Sequence, residues 1–190
     1  MSISTLFRVY VRIEELYILD LQAQTGILWD MNIFYLSRCP INAAQAQADK
    51  HVVKMILETA QLLSTAHHVL DGDDAIGGIY KVTHKNHPSA VWARETSGNY
   101  DWLYSHFMAL CAEYTHRYGK THLTQTKMER ILYYHPKNIK GASRTTMPQC
   151  MPDVYKRDDA IDAYRAYYMG EEKRHIMKWG KSRPAPRWFK

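Results

Sequence analysis

Six polar side chains, His51, Lys54, Glu58, Gln61, Thr65 and His68, follow one another at alternating intervals of three and four residues. At about 100° per residue, a helix places them within an arc of about 100° on one side. Val52, Val53, Ile56, Leu57, Ala60 and Leu63 supply the apolar side. A solvated helix face carries mostly Glu, Lys and Arg. This stripe instead mixes two imidazoles, an amine, a carboxylate, an amide and a hydroxyl. Such a set suits acid–base and nucleophilic chemistry. Burial raises a carboxyl's pKa, a desolvated lysine becomes a nucleophile, and histidine titrates near neutrality at about 6.5. The catalytic candidates are therefore His51, Lys54 and Glu58, with Lys50 at the edge of the stripe. The plainer reading, a solvated stripe with a Lys54–Glu58 pair at i, i+4 in its weaker orientation, stays open from the residues alone.

A metal centre is not expected. There is no HExxH spacing, and His67 and His68 are adjacent and point about 100° apart on a helix. No cofactor fingerprint occurs either: the Rossmann glycines, the GxSxG elbow and the kinase set are absent, and YGKTH (118–122) lacks the glycine spacing of a phosphate loop. A second polar cluster lies in YKVTHKNHPSAVWARE (80–95), where His84, His87, Trp92 and Arg94 surround a helix start. Free backbone N–H groups at such a start attract phosphate. His87, Arg94, Lys50 and Lys120 are the phosphate-binding candidates of this part of the chain.

The net charge is +6, and residues 173–190 alone carry seven Lys and Arg with no acid. Lys173, Arg174, Lys178 and Trp179 open this block, and Trp188 and Phe189 close it. Cations interleaved with aromatic rings suit phosphate contacts with base stacking, so a nucleic acid is the expected partner. A solvated basic tail is the simpler alternative.

These residues need positioning, and the patterning points to an all-α, mainly helical chain: a compact single-domain bundle over residues 31–180, with long loops and a basic aromatic tail at 181–190. Residues 1–30 read either as an N-terminal extension upstream of a natural start at Met31 or as a genuine N-terminal strand and helix. Asn32–Leu36 is a short strand or an extended lead-in. The strongest helix runs from Ala44 to Leu70. Pro88 opens a second at Ser89–Thr96, Ser97-Gly98-Asn99 interrupts, and a third spans Tyr100–Tyr118 and stops at Gly119. Thr124 caps a short helix, three prolines and a glycine make His135–Pro152 a long irregular loop, and Asp158 caps a last helix over about 159–179. Tyr164 and Tyr168 read as core. Three widely spaced cysteines argue against a disulfide framework, and no apolar run reaches the ~20 residues of a membrane span, so the expected location is a reducing cytoplasm.

From Met31 onward the chain resembles a family of small bacteriophage proteins. The resemblance rests on MNIFYL (31–36), DKHVVKMILETAQLLSTAH (49–67), NHPSAVWARE (86–95), RYGKTH (117–122), MPDVYK (151–156) and AYRAYY (163–168). More distantly, the layout is similar to the pyrimidine-dimer DNA glycosylases of the phage endonuclease V superfamily. There, a short apolar lead after the initiator Met precedes a first helix with an Asp-x-His-like stretch and a catalytic glutamate, as Asp49, His51 and Glu58 do here. His87-Pro88 and Arg117-Tyr118-Gly119 match later features. This resemblance implies glycosidic cleavage through a Schiff base, with an amine nucleophile and Glu58 as the acid–base group. The family uses the α-amine exposed by removal of Met and sets an arginine directly before the glutamate. This chain has Leu57 there, and Lys54 stands one turn earlier.

The expected function is thus a DNA-repair-type glycosylase and abasic-site lyase acting on damaged or modified bases. Two alternatives use the same residues differently. One is a non-catalytic nucleic-acid-binding accessory protein that relies on the basic C-terminus. The other is a nucleotide- or base-modifying enzyme that binds phosphate through Asn86–Arg94.

Overall fold

Seven α-helices, and no strand, occur among residues 31–190, which the computed structural model describes. They are α1 (Pro40–Ala46), α2 (Asp49–Asp71), α3 (Pro88–Ala93), α4 (Ser97–Tyr118), α5 (Leu123–Met128), α6 (Ala160–Met169) and α7 (Glu171–Arg174). The all-α expectation holds. The expected extension, residues 1–30, lies outside the described residues.

The core is an antiparallel pair. Asp49 at the start of α2 meets Arg117 at the end of α4, while His67 near the end of α2 meets Tyr100 near the start of α4. Val52, Ile56 and Leu63 of α2 and Leu103, Phe107 and Leu110 of α4 are fully buried between them. Each such side chain contributes about 1.5–3 kcal/mol. Helix α1 lies on α4 and α3 on α2.

Several boundaries differ from the sequence reading, and tertiary hydrogen bonds explain them. The expected single helix from Ala44 is two. Gln47 and Ala48 are extended because the Gln47 amide donates to the Ile33 carbonyl and to His106, and Ala48 N–H to the Tyr168 hydroxyl. Ser97-Gly98-Asn99 does not interrupt α4. Thr96 caps it, accepting from Asn99 N–H, and Gly98 is needed for close approach, since a Cβ there would lie 2.5 Å from Arg144 N. Gly119 ends α4 in the left-handed conformation, as expected. The cap of α5 is His122 rather than Thr124, and the cap of α6 is Asp159 rather than its neighbour Asp158. The expected last helix divides into α6 and α7, because Gly170 is extended and its Cα faces the Tyr155 hydroxyl, where a Cβ would lie 2.5 Å away. The lead 31–36 makes no strand and runs buried through the core.

The long loop after Tyr133 is irregular, as expected, but tied down. Asp71 accepts from the backbone N–H groups of Lys137 and Asn138, and α4's first turn donates to the carbonyls of Lys140 and Ala142. No helix among the described residues is long and apolar enough to cross a membrane.

Candidate active site

The lead segment is shaped by one side chain. Asn32 Oδ1 accepts from the N–H groups of Ile33 (2.8 Å) and Phe34 (3.1 Å), while its amide donates to the Cys150 carbonyl at 2.8 Å. The turn this produces leaves Phe34 at φ +53°, a left-handed conformation costly for a residue with a Cβ. Two consequences follow. The Phe34 ring is laid flat against His51, with centroids 4.4 Å apart, and Asn32 N is directed at Glu58 Oε2, 3.3 Å away.

Glu58 is therefore contacted from two sides. Lys54 Nζ lies 2.5 Å from Oε1, one helical turn back, and Asn32 N faces Oε2. Only 7% of Glu58 is exposed. Burial raises its pKa, opposed by the Lys54 charge and hydrogen bond, the Asn32 N–H and the charge on His84, and the net direction is upward. A carboxyl held this way takes up a proton more readily than a free one, the direction that general acid–base work requires.

His51, 1% exposed, behaves differently from a neutral-pH titrating group. Burial first, then the charges of Lys173 and Lys54, push its pKa well below the usual value, so it stands as neutral imidazole. Its Nδ1 pairs with the Tyr168 hydroxyl, and its Nε2 is buried without a hydrogen-bond partner. The polar stripe of α2 is thus no solvated face. Thr65 is fully buried, Gln61 and His68 are half-buried, and the lead and the loop after Gly78 cover them.

The phosphate-binding candidates are scattered. Lys50, Lys120, Arg174 and Lys178 are exposed, with Lys50 in the first turn of α2 and Lys120 in the turn after α4. His87 caps α3, accepting from Ser89 N–H. Arg94 ends that helix half-buried, its Nη1 without a partner and its pKa lowered by burial. Lys173 sits over the Tyr167 ring at 4.7 Å and the Phe34 ring at 5.7 Å, which brings it to the His51 side of the site. Trp179 packs inward, its indole N–H donating to the Ala46 carbonyl and its ring meeting Phe189. Among the described residues no group of three or more His, Cys, Asp or Glu could hold a metal ion.

Sequence reasoning did not find Asn32 and Phe34 as site-shaping residues, nor the ion network beneath the site. Arg117, whose side chain is fully buried, pairs with Asp49 at 2.9 Å and Glu113 at 2.7 Å, and Arg183 from the basic tail closes on both oxygens of Glu113. Arg183 was read as one of the tail's DNA-facing cations, but its guanidinium is spent on this network. The proximity of Asp49 to Arg117-Tyr118 had a sequence signal, since both belong to the family-like motifs.

The site thus belongs to an all-α protein with a buried acid paired to a half-buried amine on its central helix and a backbone nitrogen aimed at the acid. The profile of pyrimidine dimer DNA glycosylase matches residues 31–126, half of the chain, beginning at the lead and ending in α5. The chain belongs to the pyrimidine dimer DNA glycosylase family. That makes it a DNA-repair protein of glycosylase type, with DNA as its substrate class. No curated protein and no solved structure matches the chain significantly.

Proposed function

We propose that the protein cleaves the glycosidic bond of damaged or modified bases in double-stranded DNA and nicks the strand afterwards, through an amine and Glu58. The observation that carries this is Glu58 itself: a buried carboxyl with a raised pKa, 2.5 Å from the amine of Lys54 and 3.3 Å from Asn32 N. A proton passed from the Lys54 ammonium to the carboxylate leaves a neutral amine beside a neutral acid, the reactive pair. The amine attacks C1′ as the C1′–N bond to the base breaks, and the departing base takes the proton that the attacking nitrogen sheds. Glu58 then protonates O4′ as the sugar ring opens to a protonated imine. Its carboxylate takes a C2′ proton as the C3′–O bond breaks and the 3′ phosphate departs. The nucleotide must leave the stack for this.

Lys54 is the nucleophile in this reading. Asn32 N is an amide wherever Met31 precedes it, and becomes a competing amine in a chain whose first residue is Asn32. Borohydride trapping separates the cases. With a duplex carrying an abasic site or a thymine dimer, the expected result is a covalent protein–DNA band that Lys54→Ala removes. A band that persists in Lys54→Ala but requires a chain starting at Asn32 transfers the role to the α-amine. Absence of a band with every form, alongside salt-sensitive DNA binding, refutes the lyase reading and favours a binding protein.

A further inference from the structure

The loop after Gly78 runs back along the polar side of α2. Tyr80 is held first, its N–H donating to Ser64 Oγ at 3.3 Å and its carbonyl meeting His68 Nε2 at 3.0 Å. Thr83 is held next, by a single buried hydroxyl: Thr65 Oγ1 accepts from Thr83 N–H and donates to the Thr83 carbonyl, both at 3.1 Å. Through Ser64, Thr65 and His68 the segment 80–83 is tied to the side of α2 that carries Glu58. Glu58 lies seven residues before Thr65 on the same face, about 10 Å at 1.5 Å per residue.

His84 is the residue that follows. Its backbone is left-handed, φ +47°, a conformation that disfavours a side chain with a Cβ unless the surroundings impose it. Here they do. Thr83 is clamped in front, and behind it the His84 carbonyl accepts from His87 N–H at 2.8 Å as α3 begins. The ring is fixed as well, with Nδ1 2.6 Å from Thr83 Oγ1, yet the side chain is exposed. Its charge reaches Glu58, where it stabilises the carboxylate. A strained, clamped backbone that presents an oriented, exposed imidazole beside a buried acid has no packing purpose. The surrounding charge agrees: residues 75–94 contain no acid, and Lys81 and Lys85 are exposed on either side.

We propose that His84 is a substrate-contacting residue, holding a backbone phosphate that flanks the nucleotide whose sugar lies against Glu58. The inference rests on the glycosylase reading. The clamp on Thr83 fixes the distance between that phosphate and the carboxyl, which sets the sugar in register.

The test measures binding to a duplex with an uncleavable tetrahydrofuran abasic analogue, in which each of the two phosphates flanking the analogue is replaced in turn by an uncharged methylphosphonate. His84→Ala removes the ring, and His84→Asn keeps a residue that tolerates the left-handed backbone. Both variants are expected to bind the analogue about tenfold more weakly. One of the two methylphosphonates is expected to cost the unmodified protein a similar factor and to cost either variant nothing. Variants that bind like the unmodified protein, or that lose as much to each methylphosphonate as it does, overturn the assignment while the glycosylase reading stands. An unmodified protein that does not prefer the analogue over intact duplex overturns both.

Discussion

Replacing Glu58 by glutamine should separate chemistry from stability in opposite directions. The side chain is buried, and its pKa is raised above the unfolded value of about 4.3. An acid with a raised folded pKa is less readily ionised in the fold. The wild-type protein therefore loses stability as pH rises from the unfolded pKa to the folded one, at up to about 1.4 kcal/mol per pH unit, and the loss levels off above that. Glutamine does not ionise and resembles the protonated acid. Each has one acceptor oxygen to share between Lys54 Nζ and Asn32 N–H, so at about pH 4 the two proteins should agree within ~1 kcal/mol. Above that the variant should pull ahead. In a domain of this size, 1.4 kcal/mol corresponds to roughly 3–5 °C in Tm. The assay is thermal unfolding from about pH 4 to about pH 8, paired with single-turnover cleavage. The rate should fall by about 10²–10⁴-fold, the span of a general acid–base group. If the glutamine variant instead loses stability relative to wild type as pH rises, the Lys54–Glu58 pair is a structural salt bridge. The argument that burial outweighs pairing at this carboxyl would then be refuted.

Arg117→Ala should cost about 1.5–3 kcal/mol, because it removes a buried guanidinium from half-buried Asp49 and buried Glu113 while Arg183 stays paired with Glu113; urea unfolding measures this, and a cost under ~1 kcal/mol would show that water replaces the guanidinium freely. Burial holds His51 well below its usual pKa and pushes His106 and His122 down to about 4. These groups stay neutral in the fold while the unfolded chain protonates them below about 6.5. Stability should therefore be complete above that pH and fall as pH drops toward 4, with a slope approaching about 4 kcal/mol per unit for three protons. A slope no steeper than that of one proton would mean that at least two of the rings are protonated in the folded protein.

How much of this was legible in the sequence depends on where the deciding partner lies. The stripe on α2 could be read because its three-and-four spacing is local. Its burial could not, since the cover comes from Asn32–Phe34, from Tyr80–Thr83 and from Tyr168. The break between α1 and α2 is set by Ile33, His106 and Tyr168, none of them near Gln47 in sequence. Capping by His122 was missed because threonine is the commoner cap and imidazole nitrogen does the same work. Asp158 and Asp159 are indistinguishable locally. The second is selected because its carboxylate accepts from the N–H groups of Ile161 and Asp162 on α6 and pairs with Arg38. Arg183 read as a free tail cation because Glu113, its partner, lies inside a helix 70 residues earlier.

The division of labour along the chain follows from the same geometry. The acid, the amine, Asn32 and the clamped loop all lie within residues 31–126, the stretch that matches the family profile. The groups that close over them do not. Tyr168 fixes Nδ1 of His51, and Lys173 covers Phe34 from outside. Burying so many polar groups is costly unless each is paired. The pairing is nearly complete around Glu58, which two donors hold from opposite sides. At His51 it is not, for Nε2 is left without a partner among the described residues. A fixed acid suits a reaction whose steps are common to all substrates. The orientation of His51, by contrast, is set in part by Tyr168, which lies beyond the matched stretch.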